Sequence, residues 1–296
     1  MSGHPLTAGR RGRKTIDVEA ATRIDDTKND AKPFVKWVGG KRQLLDEITQ
    51  RYPALGRNAT YHEPFVGGGA VFFHLQPARA VITDSNVRLI RTYRGIQKNV
   101  EKVIRLLRSY KHDKAFYLEL RARDIDATAD DAEVAAWFIY LNRTGYNGLY
   151  RVNSKNGFNV PFGDYKNPTI CDAENLRACA QALAFARIEV SGFERVLERA
   201  KSGDFVYFDP PYIPLTATSR FTDYTSEGFG DAQQVRLRDV ALELKRRKVS
   251  VLLSNSSAPR VYDLYERGFQ CREVDARRSV NCKPNGRGRI PELLIY

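Results

Sequence analysis

The feature that most narrows the fold is an ordered run of signals near the start of the chain. Tyr61-His62-Glu63-Pro64-Phe65-Val66 leads into Gly67-Gly68-Gly69 and then Ala70-Val71-Phe72-Phe73-His74-Leu75. Ala80-Val81-Ile82-Thr83-Asp84 follows, and Leu89-Ile90 opens another helical pattern. Strand, glycine turn, helix, strand and terminal acid in that order predict the first βαβ unit of a doubly wound nucleotide-binding sheet. Glycines let backbone approach a ligand where a side chain would collide. Asp84 falls where such folds place an acid on ribose hydroxyls. These signals fit a nicotinamide or flavin cofactor as well as S-adenosylmethionine. Glu63, just before the turn, is free to face either ligand or solvent.

A second constraint lies downstream. Phe205-Val206-Tyr207-Phe208 reads as a short buried strand, and Asp209-Pro210-Pro211-Tyr212 ends it. Neither proline can donate to a sheet ladder, and each restricts the residue before it. The strand therefore ends in a rigid turn offering a carboxylate, the Pro210 carbonyl and an aromatic ring. That set suits an amino group on a planar heterocycle, held by placement rather than by a mobile base.

Around these signals the chain divides by composition. Residues 1–32 are polar, include Arg10-Arg11-Gly12-Arg13-Lys14, and read as a flexible basic tail. Residues 33–85 and 173–296 carry α/β alternation and form the expected catalytic domain. Strands are expected at 185–190, 205–208 and 249–253, helices at 233–246 and 261–266. Cys271–Val274 and Leu293–Tyr296 are expected to pair antiparallel around a basic loop holding Arg277, Arg278, Lys283, Arg287 and Arg289. Residues 86–172 show long helical periodicity and then a Gly- and Asn-rich stretch, and read as an inserted helical domain.

The charge balance points to the partner. Lys and Arg number 48 against 35 Asp and Glu, a net +13, which attracts polyanions by counterion release and makes nucleic acid the leading partner class. No apolar run is long enough to span a bilayer, and no signal-peptide pattern is present. Cys171, Cys179, Cys271 and Cys282 lack close pairing, and the four histidines are scattered. Neither a metal site nor a disulfide framework is expected, and reducing cytoplasm is the natural compartment.

Taken together, the motifs resemble those of the Dam-type adenine-specific DNA methyltransferases. Lys36-Trp37-x-Gly39-Gly40-Lys41, Glu63-Pro64-Phe65-Val66-Gly67-x-Gly69 and Asp84-x-Asn86 are similar to the family's opening motifs. Leu141-Asn142-Arg143-x-Gly145-Tyr146-Asn147-Gly148-Leu149-x-Arg151, Phe158-Asn159-Val160-Pro161-Phe162-Gly163, Asp209-Pro210-Pro211-Tyr212, Arg277-Arg278-Ser279 and Glu292-Leu293-Leu294 continue the likeness in the family's order. The resemblance covers about 33–296.

It implies an α/β, doubly wound, mostly parallel seven-stranded Rossmann-like sheet with a reversed hairpin, the helical insert at 86–172 serving as target-recognition domain. It implies S-adenosylmethionine as cofactor and methylation of the adenine amino group in double-stranded DNA, with the base flipped out of the duplex. Asp209, Pro210 and Tyr212 would be catalytic. Trp37, Lys41, Phe65, Gly67, Gly69, Asp84 and Asp209 would line the cofactor site. Tyr146 and Asn147 would fill the gap left by the flipped base, Leu149 and Pro161 would meet a thymine methyl, Arg151 would read guanine and Lys36 the first base pair, a set pointing to GATC. Phe221 and Tyr224 would close over the base. Asp164 departs from the basic residue often found there, and an acid would repel flanking phosphate. The expected enzyme is a cytoplasmic, nucleoid-associated monomer acting without metal. The same chemistry at another site beside a restriction enzyme, or an inactive DNA-binding protein, are the alternatives.

Overall fold

A computed structural model describes residues 29–215, 229–277 and 289–296. The basic cluster at 10–14, Phe221, Tyr224, Arg278, Lys283 and Arg287 lie outside the described residues. Seven strands form one sheet in the order β3-β2-β1-β4-β5-β7-β6. They are β1 (Tyr61–Glu63), β2 (Ala80–Asp84), β3 (Ala186–Val190), β4 (Phe205–Phe208), β5 (Ser250–Ser256), β6 (Cys271–Arg277) and β7 (Arg289–Ile295). β1 pairs in parallel with both β2 and β4, as do β2 with β3 and β4 with β5. β7 runs antiparallel between β5 and β6. The sheet is thus the mostly parallel α/β arrangement expected, with the terminal hairpin reversed.

Strand β4 shows why these residues fold as they do. All four side chains are buried. Phe205 and Tyr207 point into one hydrophobic cluster, Val206 and Phe208 into the other. A two-residue period with apolar groups on both faces is what a central strand covered on both sides requires.

Helices close the two faces. On the first, α1 (Leu45–Arg51), α2 (Ala70–Leu75), α3 (Val87–Ser109), α4 (Lys114–Ala122), α5 (Asp131–Thr144) and α6 (Ala173–Leu183) contribute buried side chains to one core. On the second, α7 (Val196–Arg199), α8 (Asp231–Arg246) and α9 (Pro259–Tyr265) cover the sheet. The capping chemistry is local: the Asn86 side chain accepts from Leu89 N at the start of α3, Asp113 caps α4, Asp130 α5 and Asp172 α6.

Helix α3 is longer than its periodicity suggests, at 23 residues, with non-helical backbone at Asn99. Its first half belongs to the sheet layer. Tyr93 Oη donates to Gly67 O at 2.9 Å, and Arg94 donates to Ile188 O on β3. Trp137 and Phe138 of α5 sit in the same cluster as Phe34 and Phe72, so the 86–172 segment shares its core with the sheet. The chain is already anchored at Asn29, whose Nδ2 donates to Ala178 O at 2.8 Å. Among the described residues no helix is long and apolar enough to cross a membrane, and no cluster of His, Cys, Asp and Glu could hold a metal ion.

The topology fixes the site. Strand order reverses between β1 and β4, and ligands of such sheets bind at the carboxyl ends of the strands flanking that reversal. The turn after β1 is Gly67-Gly68-Gly69, and the turn after β4 is Asp209-Pro210-Pro211-Tyr212.

Candidate active site

Asp209 leaves β4 with its carboxylate only 21 % exposed and already engaged. Lys41 Nζ lies 2.8 Å from Asp209 Oδ1 and also donates to Gly39 O at 2.6 Å. Ser254 Oγ of β5 donates to Asp209 Oδ1 at 3.1 Å and shares a 3.0 Å hydrogen bond with Tyr207 Oη. Burial pushes the Asp209 carboxyl upward in pKa, while Lys41 and the hydrogen bonds act against that rise.

The rest of the turn is held by side chains from β5 and α8. Asn255 Oδ1 accepts from Ile213 N at 3.1 Å, and Asn255 Nδ2 donates to Gln234 Oε1 at 3.2 Å. Gln234 Nε2 in turn donates to Pro211 O at 2.8 Å. Among the described residues no hydrogen bond ends on the Pro210 carbonyl. Tyr212 Oη donates to Glu292 Oε2 of β7 at 2.7 Å, and Lys41 Nζ sits 4.7 Å from the centre of the Tyr212 ring. A carboxylate, a peptide oxygen and a ring are therefore presented by a turn braced from three elements.

The glycine turn forms the second half of the site. Asp84 Oδ2 accepts from Gly67 N at 3.1 Å and Asp84 Oδ1 from Asn86 N at 2.9 Å. Burial raises the Asp84 carboxyl, and these backbone hydrogen bonds oppose the rise. Gly67 has φ +46°, and a Cβ there would stand 2.7 Å from the Trp37 ring. Gly69, at φ +71°, starts α2, and a Cβ there would stand 2.5 Å from Tyr93 Oη. Only glycine meets both demands. Trp37 is half-buried between this turn and the Phe138 and Tyr150 rings. Phe65 stacks on Phe193 and meets Phe208 and Phe229 edge-on.

Glu63 does not face solvent. It is 2 % exposed and accepts from Tyr61 Oη at 2.7 Å. Burial pushes its carboxyl up to about 8, against hydrogen bonds from Tyr61 and the Phe72 N–H and the charge of Lys41.

The residues expected to read a target lie on a separate loose hairpin. Single antiparallel bridges join Gly145 to Phe162 and Val152 to Phe158. Tyr146, Asn147, Arg151, Pro161 and Lys36 are exposed and Leu149 is half-buried. Asn147 adopts φ +54°. Arg151 donates through Nε and Nη2 to Asn159 O, at 3.2 and 2.7 Å. Asn142, buried at the end of α5, accepts from Lys36 N and donates to Lys36 O and Gly148 O. One amide thereby ties Lys36 to the hairpin. Lys41 is legible in the sequence as a site residue; Ser254, Asn255, Gln234 and the role of Glu292 are not, because only strand neighbourhood brings them to Asp209.

A sheet of this order, with a glycine turn and acid on one side of the reversal and Asp-Pro-Pro-Tyr on the other, defines a Rossmann-like methyltransferase of the α/β class. The chain belongs to the D12 class N6 adenine-specific DNA methyltransferase family, whose model matches residues 37–280. It is 46 % identical over 279 residues to the Type II methyltransferase M1.LlaDCHI of Lactococcus lactis, covering 92 % of this chain and 97 % of that one. It is 40 % identical to the Type II methyltransferase M.MjaIII of Methanocaldococcus jannaschii (90 % and 99 %) and 34 % identical to the DNA adenine methylase of Escherichia coli (89 % and 94 %). The protein is a DNA adenine N6-methyltransferase.

Proposed function

We propose that this enzyme uses S-adenosylmethionine to methylate an adenine flipped out of duplex DNA, at GATC. The residues fit that cofactor. Asp84 offers carboxylate acceptors at the end of β2 for ribose hydroxyls, the Gly67 and Gly69 backbone permits close approach, and Trp37 and Phe65 supply aromatic faces. Lys41 and Asp209 complete the expected cofactor-facing set. When bound, S-adenosylmethionine supplies an already activated methyl group.

The chain's own task is to prepare the acceptor. The lone pair of adenine's amino nitrogen is delocalised into the ring. Hydrogen bonds from that amino group to the Asp209 carboxylate and the Pro210 carbonyl favour a more tetrahedral nitrogen and would stabilise its positive charge as the N–C bond forms at the expense of the methyl donor's S–C bond, the surplus amino proton then leaving to water. Tyr212 stacks on the base. The bracing of the turn by Asn255, Gln234 and Glu292 is the observation that carries this reading, since it preorganises both acceptors before substrate arrives. A base within a duplex cannot reach such a turn, which supports base flipping.

The exposed hairpin supports target reading by Lys36, Tyr146, Asn147, Leu149, Arg151 and Pro161. Arg151 suits the bidentate contact that guanine edges accept. Residues 86–172 serve as the recognition segment, and residues 33–85 and 173–296 as the catalytic one. The basic segment around Arg277 and Arg289 adds affinity for phosphate. The enzyme works as a monomer in the cytoplasm, on the nucleoid. The names of the Lactococcus and Methanocaldococcus relatives favour a second reading, the same chemistry at another site beside a cognate nuclease.

Expression in cells lacking adenine methylation, followed by mapping of every modified adenine, tests the reading. GATC alone is expected; another single motif would discard the reader assignment while sparing the chemistry. In vitro, Asp209→Ala should abolish transfer and leave DNA binding largely intact, and full activity in that variant would remove the role given to Asp209.

A further inference from the structure

Tyr150 stands between two residues assigned to DNA reading, Leu149 and Arg151, yet its own side chain turns inward. Its ring stacks on Phe138 at 4.9 Å and 17°, and on Trp37 at 6.1 Å and 26°. Phe158, across the hairpin, meets it edge-on at 5.8 Å. Trp37 is wedged on its far side against the glycine turn, where a Cβ on Gly67 or Gly68 would meet it at 2.7 and 3.1 Å. One aromatic stack thus runs from the glycine turn to the hairpin.

The phenol end makes a second connection. Burial raises the Tyr150 pKa, and the adjoining Arg88 guanidinium and Asn86 carboxamide act against that rise. Asn86 donates its backbone N–H to Asp84 and caps α3. Arg88, itself 6 % exposed, holds Asp126 through two hydrogen bonds of 2.9 and 2.6 Å. Asp126 also accepts from Asn156 Nδ2 at the hairpin tip, at 3.0 Å. Tyr150 therefore reaches the glycine turn through Trp37, with Asn86 and Arg88 beside its hydroxyl, while its backbone carries the readers.

We propose that Tyr150 is the positioning residue through which cofactor binding and DNA reading strengthen one another. The inference rests on the cofactor and reader assignments proposed above. A cofactor bound against the glycine turn would fix Trp37, which packs on that turn, and with it the face against which Tyr150 packs, and so Leu149 and Arg151. Ordering imposed by one ligand need not be imposed again by the other, and the coupling is reciprocal.

The test is a two-ligand titration with S-adenosylhomocysteine and a duplex bearing the methylated site found by mapping. In the wild-type enzyme, saturating S-adenosylhomocysteine should tighten the duplex Kd by roughly 5-fold or more, and the duplex should tighten S-adenosylhomocysteine equally. In Tyr150→Leu, which removes the stack, that ratio should fall towards 1 while each ligand still binds alone. Tyr150→Phe keeps the ring and loses the hydroxyl; its ratio should fall between the two, and it decides the matter if Tyr150→Leu does not fold. A wild-type ratio of 1, or a wild-type ratio retained in the variants, overturns the proposal. If wild-type enzyme binds neither ligand, the assignments beneath it fail, and the inference with them.

Discussion

The Lys41 ammonium occupies the acceptor side of Asp209, 2.8 Å from Oδ1, while lying 4.7 Å from the centre of the Tyr212 ring. These are the two groups proposed to take the amino hydrogen and the face of adenine. Lys41 thus contacts the same carboxylate and the same ring that the proposal gives to the base, and it does so through Oδ1. The ammonium also opposes the pKa rise that burial imposes on Asp209.

The expected consequence is a pH effect in Lys41→Met. Losing an opposite charge at this distance raises a carboxyl pKa. The acid limb of the kcat/KM profile should move to higher pH in the variant, because the ionised acceptor is then lost at higher pH. Profiles of both proteins on one duplex check this; coincident acid limbs would show that Asp209 ionisation does not limit the rate.

Asn255→Ala should loosen the catalytic turn from behind. It leaves the Ile213 N–H, a buried donor, without its 3.1 Å acceptor and frees Gln234 from its 3.2 Å partner. Leaving such a group unsatisfied costs about 1–3 kcal/mol. The stability loss should fall in that range by denaturant titration. Because the segment at 210–213 loses its brace while Lys41 and Ser254 still hold Asp209, kcat should fall more than KM rises.

Much of this site is legible from residues alone. Phe205–Phe208 and Ala80–Asp84 carry their strand character in short apolar runs ended by prolines or an acid, so their limits match the pattern. The antiparallel terminal pair is legible too, though β6 and β7 are longer than the apolar pattern at 271–274 and 293–296. Asp84-x-Asn86 and Val100–Leu107 look like separate features in the sequence, and α3 keeps the cap and the later periodicity on opposite sides of its non-helical residue, Asn99. The supports of Asp209 are not legible. Ser254 and Asn255 lie beyond the strand expected at 249–253, and only the longer β5 and the β4–β5 register, with Phe208 opposite Leu253, set them beside the turn. Glu63 gives no local sign that it is sealed beneath α2 rather than open to solvent.

Gly148→Ala tests the hairpin through Lys36, the proposed reader on which its new Cβ would press. Gly148 has φ +64°, and a Cβ there would stand 2.4 Å from Lys36 Cδ and 2.7 Å from Lys36 Cβ. The left-handed backbone alone costs an alanine roughly 1–2 kcal/mol. Lys36 must also shift from its place over the Tyr165 ring, at 4.6 Å. The variant should bind its specific duplex more weakly while its affinity for unrelated duplex stays close to wild type, since phosphate contacts supply non-specific binding. A filter-binding comparison of the two duplexes reads the difference, and an equal loss on both would separate Gly148 from sequence reading.

Glu63 sets a stability dependence of defined sign. Its carboxyl is pushed from 4.5 up to about 8 in the folded protein, first by burial. Between those values the folded state holds a proton that the unfolded chain has released, so stability falls as pH rises through this window. The contribution is fully present below the unfolded value and is lost as pH passes the folded one. A tenfold change in a carboxyl's acidity corresponds to about 1.4 kcal/mol, so the wild-type loss amounts to several kcal/mol. Asp84 and Asp209, also raised, slope the same way, whereas His62, lowered by burial, slopes the other way. Glu63→Gln removes the titrating group while keeping an amide in its place beside Tyr61 Oη. The difference in unfolding free energy between Glu63→Gln and wild type, followed from about pH 5 to about pH 9, isolates Glu63: the variant should gain on the wild type steadily as pH rises. A constant difference across that range would mean that Glu63 is ionised throughout.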